Sequence, residues 1–351
     1  MLDFSRSIIE EVRLFPALLS RPVLLKRDDL IHPLCNGNKA RKFAALLSES
    51  PCPQPHFSES TLEARPDSEC SNIWVSYGGI QSNAMAALAY LSRMKGVRFC
   101  YVAPSLDSEA LSQILSCAHA TQSNLAYALE QGMELIPLPQ GSPVSALKSH
   151  ALSLAQNLGA RLIPQGGCVE WARLGMRALA QELGRQVPPK SVIFYTSGSG
   201  VGVVALQEAL REFMPSSRLV CVACAGKRGE LEASFSARKL PIPPILYAPF
   251  AFAKPRLELW AMRAYLAYQG VRVDLIYDSA GFYTIWAALK GEAMGLGRLK
   301  WRGLREQILN NGFVFIHSGG LSGDVSQEAR YRQRFGERLL DSEERIAAFD
   351  F

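Results

Sequence analysis

A lysine at residue 39 lies where an irregular stretch of the chain passes into an apolar, helix-forming run. The stretch is residues 36–42, with the sequence NGNKARK. Asparagine and glycine are typical of turns, and Asn38 is predicted to cap a helix that begins at Lys39. Partial burial favours a neutral, nucleophilic amine, so Lys39 is a candidate catalytic lysine, with Lys42 as a rival and Lys26 as a weaker one. Taken alone, the segment would be interpreted as a basic surface turn.

A second candidate site is the turn at residues 196–200, with the sequence TSGSG, which joins a predicted strand to a predicted helix. Glycines let backbone amides converge, and a helix N-terminus favours an anion. Turns of this kind are often rich in Gly and Ser, so the signal is weak by itself.

The segment YGGIQSN at residues 77–83 ends where another helix is predicted to begin. Ser82 is a good residue for capping that helix. The same helix N-terminus also suits a carboxylate, so a capping role and a substrate-binding role are compatible.

Two further groups of polar residues follow predicted strands. Tyr277 and Asp278 come after residues 271–276, and the sequence HSGG at 317–320 follows residues 313–316. Each group alone is consistent with an ordinary turn at the end of a strand.

Composition limits the classes of function. The chain has 351 residues, a formal net charge of +6 and 48% hydrophobic residues, which favours two domains or one large α/β domain. The densest basic group, at residues 298–305, is interpreted as a solvated helix face, so no nucleic-acid partner is predicted. No apolar stretch is long enough to span a bilayer, which predicts no membrane partner, and residues 1–10 lack a signal-peptide core, which predicts a cytoplasmic location.

The eight cysteines are predicted to be reduced. Cys52 and Cys70 flank a loop, but no further ligands accompany them, and Cys221 and Cys224 have CxxC spacing within a predicted strand, where their side chains point to opposite faces. No metal site is predicted.

Strands and helices are predicted to alternate along the chain, which indicates parallel sheets covered by helices. Residues 50–72, rich in Pro, Ser and Glu, are predicted to form a surface insertion, and residues 226–253 to be irregular. The predicted strands are 23–26, 73–76, 99–102, 134–138, 162–164, 192–195, 219–225, 271–276 and 313–316. The predicted helices are a short one before residue 23, the Lys39 helix, 82–94, 108–131, 144–158, 170–183, 201–213, 255–268, 281–290, 304–309 and a solvated one after Val325.

Together, the motifs resemble those of the pyridoxal-phosphate enzymes of the 1-aminocyclopropane-1-carboxylate deaminase and D-cysteine desulfhydrase family. The resemblance covers roughly residues 22–320 outside the insertion and is most specific around Lys39, Ser82 and His317. It implies a fold-type II, tryptophan synthase β-like arrangement, in which residues 1–45 and 160–351 form a large cofactor-binding domain and residues 46–159 a small one. It also implies a homodimer and a cofactor in the cleft between the domains.

The resemblance implies roles for individual residues. Lys39 would carry pyridoxal phosphate as a Schiff base, which decides between it and Lys42. Asn83 would contact the cofactor's phenolic oxygen, and Ser82 and Tyr277 would contact the substrate. Ser318 or Asp278 would contact the ring nitrogen. The phosphate would be bound by Gly198, Ser199, Gly200, Val201 and Gly202.

Several positions depart from the family pattern. Val201 and Gly202 replace a Gly-Thr pair of the phosphate loop, Cys168 replaces a serine, and Ser279-Ala280 replaces a Gly-Lys pair. Asp278 is one methylene shorter than the glutamate of the deaminases, whereas Ser318 has the hydroxyl found in the desulfhydrases. We therefore expect Ser318 to contact the ring nitrogen directly, with Asp278 behind it.

The resemblance implies a lyase that acts on a small amino acid. β-Elimination from D-cysteine is the leading prediction, because Ser318 and Phe252, which stands where the deaminases have a tyrosine, both oppose aminocyclopropane carboxylate deamination. The alternatives are that deamination, a racemase or dehydratase of the same fold, and a non-catalytic binding protein.

Overall fold

The computed structural model describes residues 2–47, 72–106, 123–292, 294–296 and 298–339. The predicted insertion, apart from Asn72, lies outside these ranges, as do residues 108–122 of the predicted helix 108–131. The described helices include none that is long and apolar enough to cross a membrane.

The strands form two sheets. Six strands lie in the order β1-β2-β10-β7-β8-β9, and four in the order β5-β4-β3-β6; apart from the antiparallel edge pair β1–β2, neighbouring strands are parallel. This confirms the predicted fold class of parallel sheets with helices. The strands are β1 Ile9–Val12, β2 Val23–Lys26, β3 Ile73–Tyr77, β4 Arg98–Pro104, β5 Glu134–Leu138, β6 Arg161–Ile163, β7 Val192–Ser197, β8 Arg218–Ala223, β9 Ile245–Tyr247 and β10 Phe313–Ile316.

Eleven α-helices are found among the described residues. Their boundaries are α1 Gly37–Phe43, α2 Asn83–Lys95, α3 Asn124–Glu130, α4 Val144–Leu158, α5 Val169–Gln186, α6 Val201–Phe213, α7 Glu230–Ser236, α8 Leu257–Tyr268, α9 Asp278–Leu289, α10 Arg298–Asn311 and α11 Asp324–Phe335.

Contacts divide the chain into two compact units. One comprises residues 1–32, 36–38 and 176–351, and the other residues 33–35 and 39–175. The first contains the six-stranded sheet and the second the four-stranded one. Strand β6 pairs with β3 in the second unit, so that sheet continues past residue 159, the predicted end of the small domain.

The central strands of the larger sheet lie in the hydrophobic core. Every residue of β7 and β10 is buried, as expected for parallel strands covered on both faces. Their apolar side chains join a core that includes Val192, Phe194, Phe313 and Phe315. Polar residues come only where these two strands end. The length of each apolar run therefore determines where along the strand the first polar side chain lies.

Four sequence predictions of secondary structure are wrong. Residues 271–276 form no strand, because Asp274 accepts backbone hydrogen bonds that turn the chain into α9. Residues 226–253 contain α7 and β9, and the segment before β2 contains strand β1 rather than an α-helix. Helix α1 begins at Gly37, so Asn38 lies inside its first turn and does not cap it.

Candidate active site

The turn before Lys39 is joined to the turn after β10 by backbone contacts. The amide of Asn38 donates to the Ser318 carbonyl at 3.0 Å, and the Gly320 amide donates to Asn36 Oδ1 at 3.2 Å. Gly37 has φ +55°, and a Cβ there would lie 1.8 Å from the Ser318 carbonyl oxygen. A residue with a side chain is therefore excluded at position 37, and the residue covalently bonded to Lys39 is held at the end of β10.

Lys39 and its rival Lys42 both lie on α1, but Lys42 is committed to a structural contact. Lys42 is 5% exposed, and its Nζ donates to the Gly166 carbonyl at 2.8 Å. Burial, and then the charge of Lys39, lower the pKa of Lys42 well below its ordinary value. Helix α1 packs closely on α5, since a Cβ on Gly175 would lie 2.0 Å from the Arg41 carbonyl oxygen.

A fully buried carboxylate, Asp278, collects four donors at the ends of β7 and β10. Its Oδ1 accepts from the hydroxyls of Thr196 and Ser318, each at 2.8 Å. Its Oδ2 lies 3.0 Å from the Ser318 amide nitrogen and 2.9 Å from Nδ1 of His317. Strands β7 and β10 are parallel neighbours, so their carboxyl ends meet, which brings these residues together.

This carboxylate raises the pKa of the His317 imidazole. Burial alone would lower the pKa of the imidazole, but the hydrogen bond and charge of Asp278, with the charge of Asp29 and the Arg272 carbonyl, raise it to about 9. The other ring nitrogen, Nε2, lies 2.7 Å from the Arg272 carbonyl oxygen. A carbonyl only accepts, so Nε2 carries a proton.

Asp274 fixes the start of α9 and therefore the positions of Tyr277 and Asp278. Its Oδ1 accepts from the amides of Ile276 and Tyr277 at 2.8 and 2.6 Å, and its Oδ2 accepts from the Asp278 amide at 3.1 Å. Burial, and then the nearby charge of Asp278, raise the pKa of Asp274 to about 6. These bonds satisfy amides that the first turn of a helix leaves without helical partners.

The glycine-rich turn lies between β7 and α6, as predicted. A Cβ on Gly198 would lie 2.9 Å from the Tyr277 hydroxyl, and one on Gly202 would lie 2.2 Å from the Tyr195 hydroxyl. Gly200 has φ +80° and begins the turn into α6, whose first amides are available at its N-terminus. Ser199 is exposed, and Val201 supplies no hydroxyl. Glycine at positions 198 and 202 therefore leaves room for the Tyr277 and Tyr195 side chains, and the turn presents backbone amides at the N-terminus of α6.

Ser82 and Asn83 begin α2, and Ser82 caps it as predicted. The Ser82 hydroxyl accepts from the amides of Ala84 and Met85 at 3.2 and 3.4 Å. Asn124, which is 1% exposed, donates through Nδ2 to the Gln81 carbonyl at 3.0 Å and to Asn83 Oδ1 at 2.7 Å. The Gln81 carbonyl only accepts, so the amide nitrogen of Asn124 must face it. Asn83 consequently turns its oxygen towards Asn124 and its NH₂ group away.

The structure thus places the predicted residues in separate groups. Asp278 and Ser318 are hydrogen-bonded, Tyr277 lies against Gly198, and Asn83 follows the cap residue Ser82. The sequence places Thr196 in the glycine-rich turn but does not predict its bond to Asp278, and it does not identify Asn124, which bonds to Asn83. Thr196 is the penultimate residue of β7, where polar residues follow an apolar run, and this signal is visible in the sequence. Asn124 sends no such signal, because its contact depends on tertiary structure.

Phe252 also lies in this region of the larger unit. Its ring centroid is 5.5 Å from that of Tyr277, and the rings are tilted by 55°. Phe252 is 46% exposed. The Phe252 side chain therefore presents an apolar face beside the Tyr277 ring, at a position where a tyrosine would add a hydroxyl.

The charge of His317 predicts a specific pH dependence of stability. Because the pKa rises from 6.5 to about 9 on folding, the stabilisation is complete below pH 6.5 and is lost as the pH rises through 9. Between pH 6 and 10, we expect the free energy of unfolding in urea to fall on the order of 3 kcal/mol more in the wild type than in His317→Gln. The exposed-site control His150→Gln should follow the wild type, and parallel curves for wild type and His317→Gln would contradict a charged His317.

Two comparisons with known proteins give the same family and fold. A family model for "Pyridoxal-phosphate dependent enzyme" matches residues 6–268. No curated protein matches the chain significantly.

Solved structures of pyridoxal-phosphate enzymes share the fold of the chain. An ACC deaminase homologue is 19% identical, with a TM-score of 0.68 and coverage of 96% of this chain and 94% of that one. Diaminopropionate ammonia lyase from Escherichia coli, in its apo form, is 15% identical, with a TM-score of 0.62 and coverage of 95% and 86%. Serine racemase from Dictyostelium discoideum is 13% identical, with a TM-score of 0.61 and coverage of 90% and 92%.

Because the sequence identities are this low, the comparisons establish the fold alone. The structural similarity confirms the fold-type II arrangement that the motifs predict. The family match covers residues 6–268 of 351 and therefore includes Lys39, the segment 77–83 and the glycine-rich turn. The chain belongs to the family of pyridoxal-phosphate dependent enzymes.

Proposed function

We propose that the chain is a lyase that eliminates sulfide from D-cysteine, giving pyruvate and ammonia. The observation that carries this proposal is the pairing of Phe252 with Tyr277, which leaves an apolar surface where a deaminase would have a second tyrosine. The Ser318 hydroxyl, hydrogen-bonded at the end of β10, is a second supporting feature. Deamination of aminocyclopropane carboxylate is the second candidate, because Asp278 retains a carboxylate close to Ser318.

The described residues fit pyridoxal phosphate. The turn at residues 198–202 leads into the N-terminus of α6, where backbone amides suit a phosphate. Two hydroxyls and a carboxylate at the ends of β7 and β10 form a polar set for a ring nitrogen, and Lys39 is the candidate amine. When bound, the cofactor supplies an electron sink that stabilises a carbanion at the α-carbon of an amino acid.

Residues of this chain would bind the cofactor, orient the substrate and move the proton. Lys39 Nζ would hold the cofactor and, once displaced by the amino group of the substrate, would remove the α-proton. Ser82 and the N-terminus of α2 would hold the substrate carboxylate, while Asn83 would point its NH₂ group at the phenolic oxygen. Tyr277 would lie beside the substrate. The α-proton and the thiolate of the β-carbon are lost, and hydrolysis of the released enamine gives pyruvate and ammonia.

Keto-acid release from D-cysteine, L-cysteine, D-serine and aminocyclopropane carboxylate tests this function. We expect pyruvate and sulfide from D-cysteine and little 2-oxobutyrate from aminocyclopropane carboxylate. Phe252→Tyr restores the missing hydroxyl and should raise the second activity relative to the first. Preferred release of 2-oxobutyrate by the wild type would contradict the proposal and favour the deaminase, and release from none of these substrates would contradict both.

The identity of the cofactor lysine is tested with a matched pair. Lys39→Ala should abolish covalent retention of pyridoxal phosphate after borohydride reduction and lower turnover by about 10³-fold or more, because it removes the amine that moves the proton. Lys42→Met removes the neighbouring amine on the same helix and should retain the covalent label. Peptide mapping identifies the labelled residue, and a label at Lys42 in the wild type would transfer the role to that residue.

Asn124 is predicted to support cofactor binding through Asn83. Asn124→Ala releases the Asn83 amide from its orientation and should weaken pyridoxal phosphate binding about fivefold to tenfold, the value of one hydrogen bond. The control is Ser123→Ala, which removes the α3 cap, whose hydroxyl accepts from Ala126, but leaves Asn124 in place. Fluorescence titration of the apo protein measures both. Equal weakening in the two variants would show that only helix stability matters.

A further inference from the structure

The hydrogen bonds around Asp278 determine which groups there donate and which accept. Oδ1 faces the hydroxyls of Thr196 and Ser318, and Oδ2 faces the Ser318 amide and Nδ1 of His317. Asp278 is fully buried. An ionised carboxylate only accepts, so the groups that face it must supply the protons.

The proton on the His317–Asp278 pair can be placed in two ways, and both leave Oδ1 as an acceptor. With His317 charged, Nδ1 donates to Oδ2. The Gly319 amide also lies 3.2 Å from Nδ1, a contact that requires Nδ1 to be unprotonated, with the proton on Oδ2 instead. The charged form agrees with the shorter 2.9 Å contact to Asp278 and with the raised pKa of His317. In either form, Oδ1 holds no proton of its own.

The Ser318 hydroxyl proton is therefore donated to Asp278 Oδ1. Ser318 Oγ lies 2.8 Å from Asp278 Oδ1 and 3.2 Å from Thr196 Oγ1. Whether the Thr196 proton points to Asp278 or to Ser318, the Ser318 proton points to Asp278. What remains on Ser318 Oγ for any other group is lone-pair density, so it can only accept.

We propose that Ser318 is an obligate acceptor that selects the protonated form of the cofactor's ring nitrogen, with Asp278 and His317 as the positioning residues that make it so. This inference rests on the proposed function, in which the ring nitrogen lies at Ser318. A hydroxyl partner would ordinarily allow a neutral ring, because a free hydroxyl can donate. Here the donor is already committed, so a nitrogen bound at Ser318 must bring its own proton. A protonated ring is the stronger electron sink.

The test is nitrogen NMR of the resting holoenzyme loaded with pyridoxal phosphate labelled with ¹⁵N in the ring, which requires no turnover. We expect the protonated-ring resonance in the wild type at pH 7. In Asp278→Asn, the amide oxygen should face the Ser318 amide and the NH₂ group should donate to the two hydroxyls. The Ser318 proton is then free to point outwards, and the resonance should move to the unprotonated position.

Matched variants separate this mechanism from general disruption. Thr196→Val removes the other hydroxyl but leaves the Ser318–Asp278 bond, so the ring should stay protonated. An unprotonated ring in the wild type overturns the inference even if Asp278→Asn fails to fold, and a protonated ring in folded Asp278→Asn also overturns it. If Ser318→Ala leaves the resonance unchanged, the ring nitrogen is not at Ser318. Failure of the proposed reaction is seen separately, as absence of pyruvate release from D-cysteine by the same holoenzyme.

Discussion

The candidate site depends on hydrogen bonds and close backbone packing between two turns that are far apart in sequence. Residues 36–38 meet residues 318–320 through main-chain groups and the Asn36 side chain, and the absence of a Cβ at Gly37 permits this approach. Main-chain contacts tolerate little displacement, because bond lengths and angles fix the positions of their atoms. The residue that precedes Lys39 is therefore fixed relative to the Ser318 carbonyl.

A second level of organisation is electrostatic. Two buried carboxylates, Asp274 and Asp278, lie at the start of α9, and each is surrounded by donors rather than by solvent. Burying a charge is costly unless it is paired and hydrogen-bonded. Asp274 uses backbone amides and so defines the helix start, whereas Asp278 uses side chains from the ends of two strands and His317. Asp274 thus determines where the helix begins, whereas Asp278 determines which way the protons of its neighbouring groups point.

Much of the fold could be predicted from local signals. Residues 134–138, 144–158, 201–213 and 313–316 have the predicted bounds, because apolar periodicity and, for α4, the left-handed Gly159 mark them. The predicted strand at residues 271–276 is wrong, because Val271 and Val273 alternate with polar residues but are buried against the core without pairing in a sheet. Within the site, the motifs gave Ser318 and Asp278, but the hydrogen bond between them is a product of the tertiary fold.

The close approach of Tyr277 to Gly198 limits how this sequence can change over generations. A Cβ at position 198 would meet the ring and hydroxyl of a tyrosine that is itself packed against Phe252. A larger residue at position 198 is therefore compatible with the fold only after position 277 has become smaller. A variant with only one of the two changes has either a clash at position 198 or no aromatic ring at position 277. We therefore expect Gly198 and Tyr277 to change together, because single substitutions at either position are disfavoured.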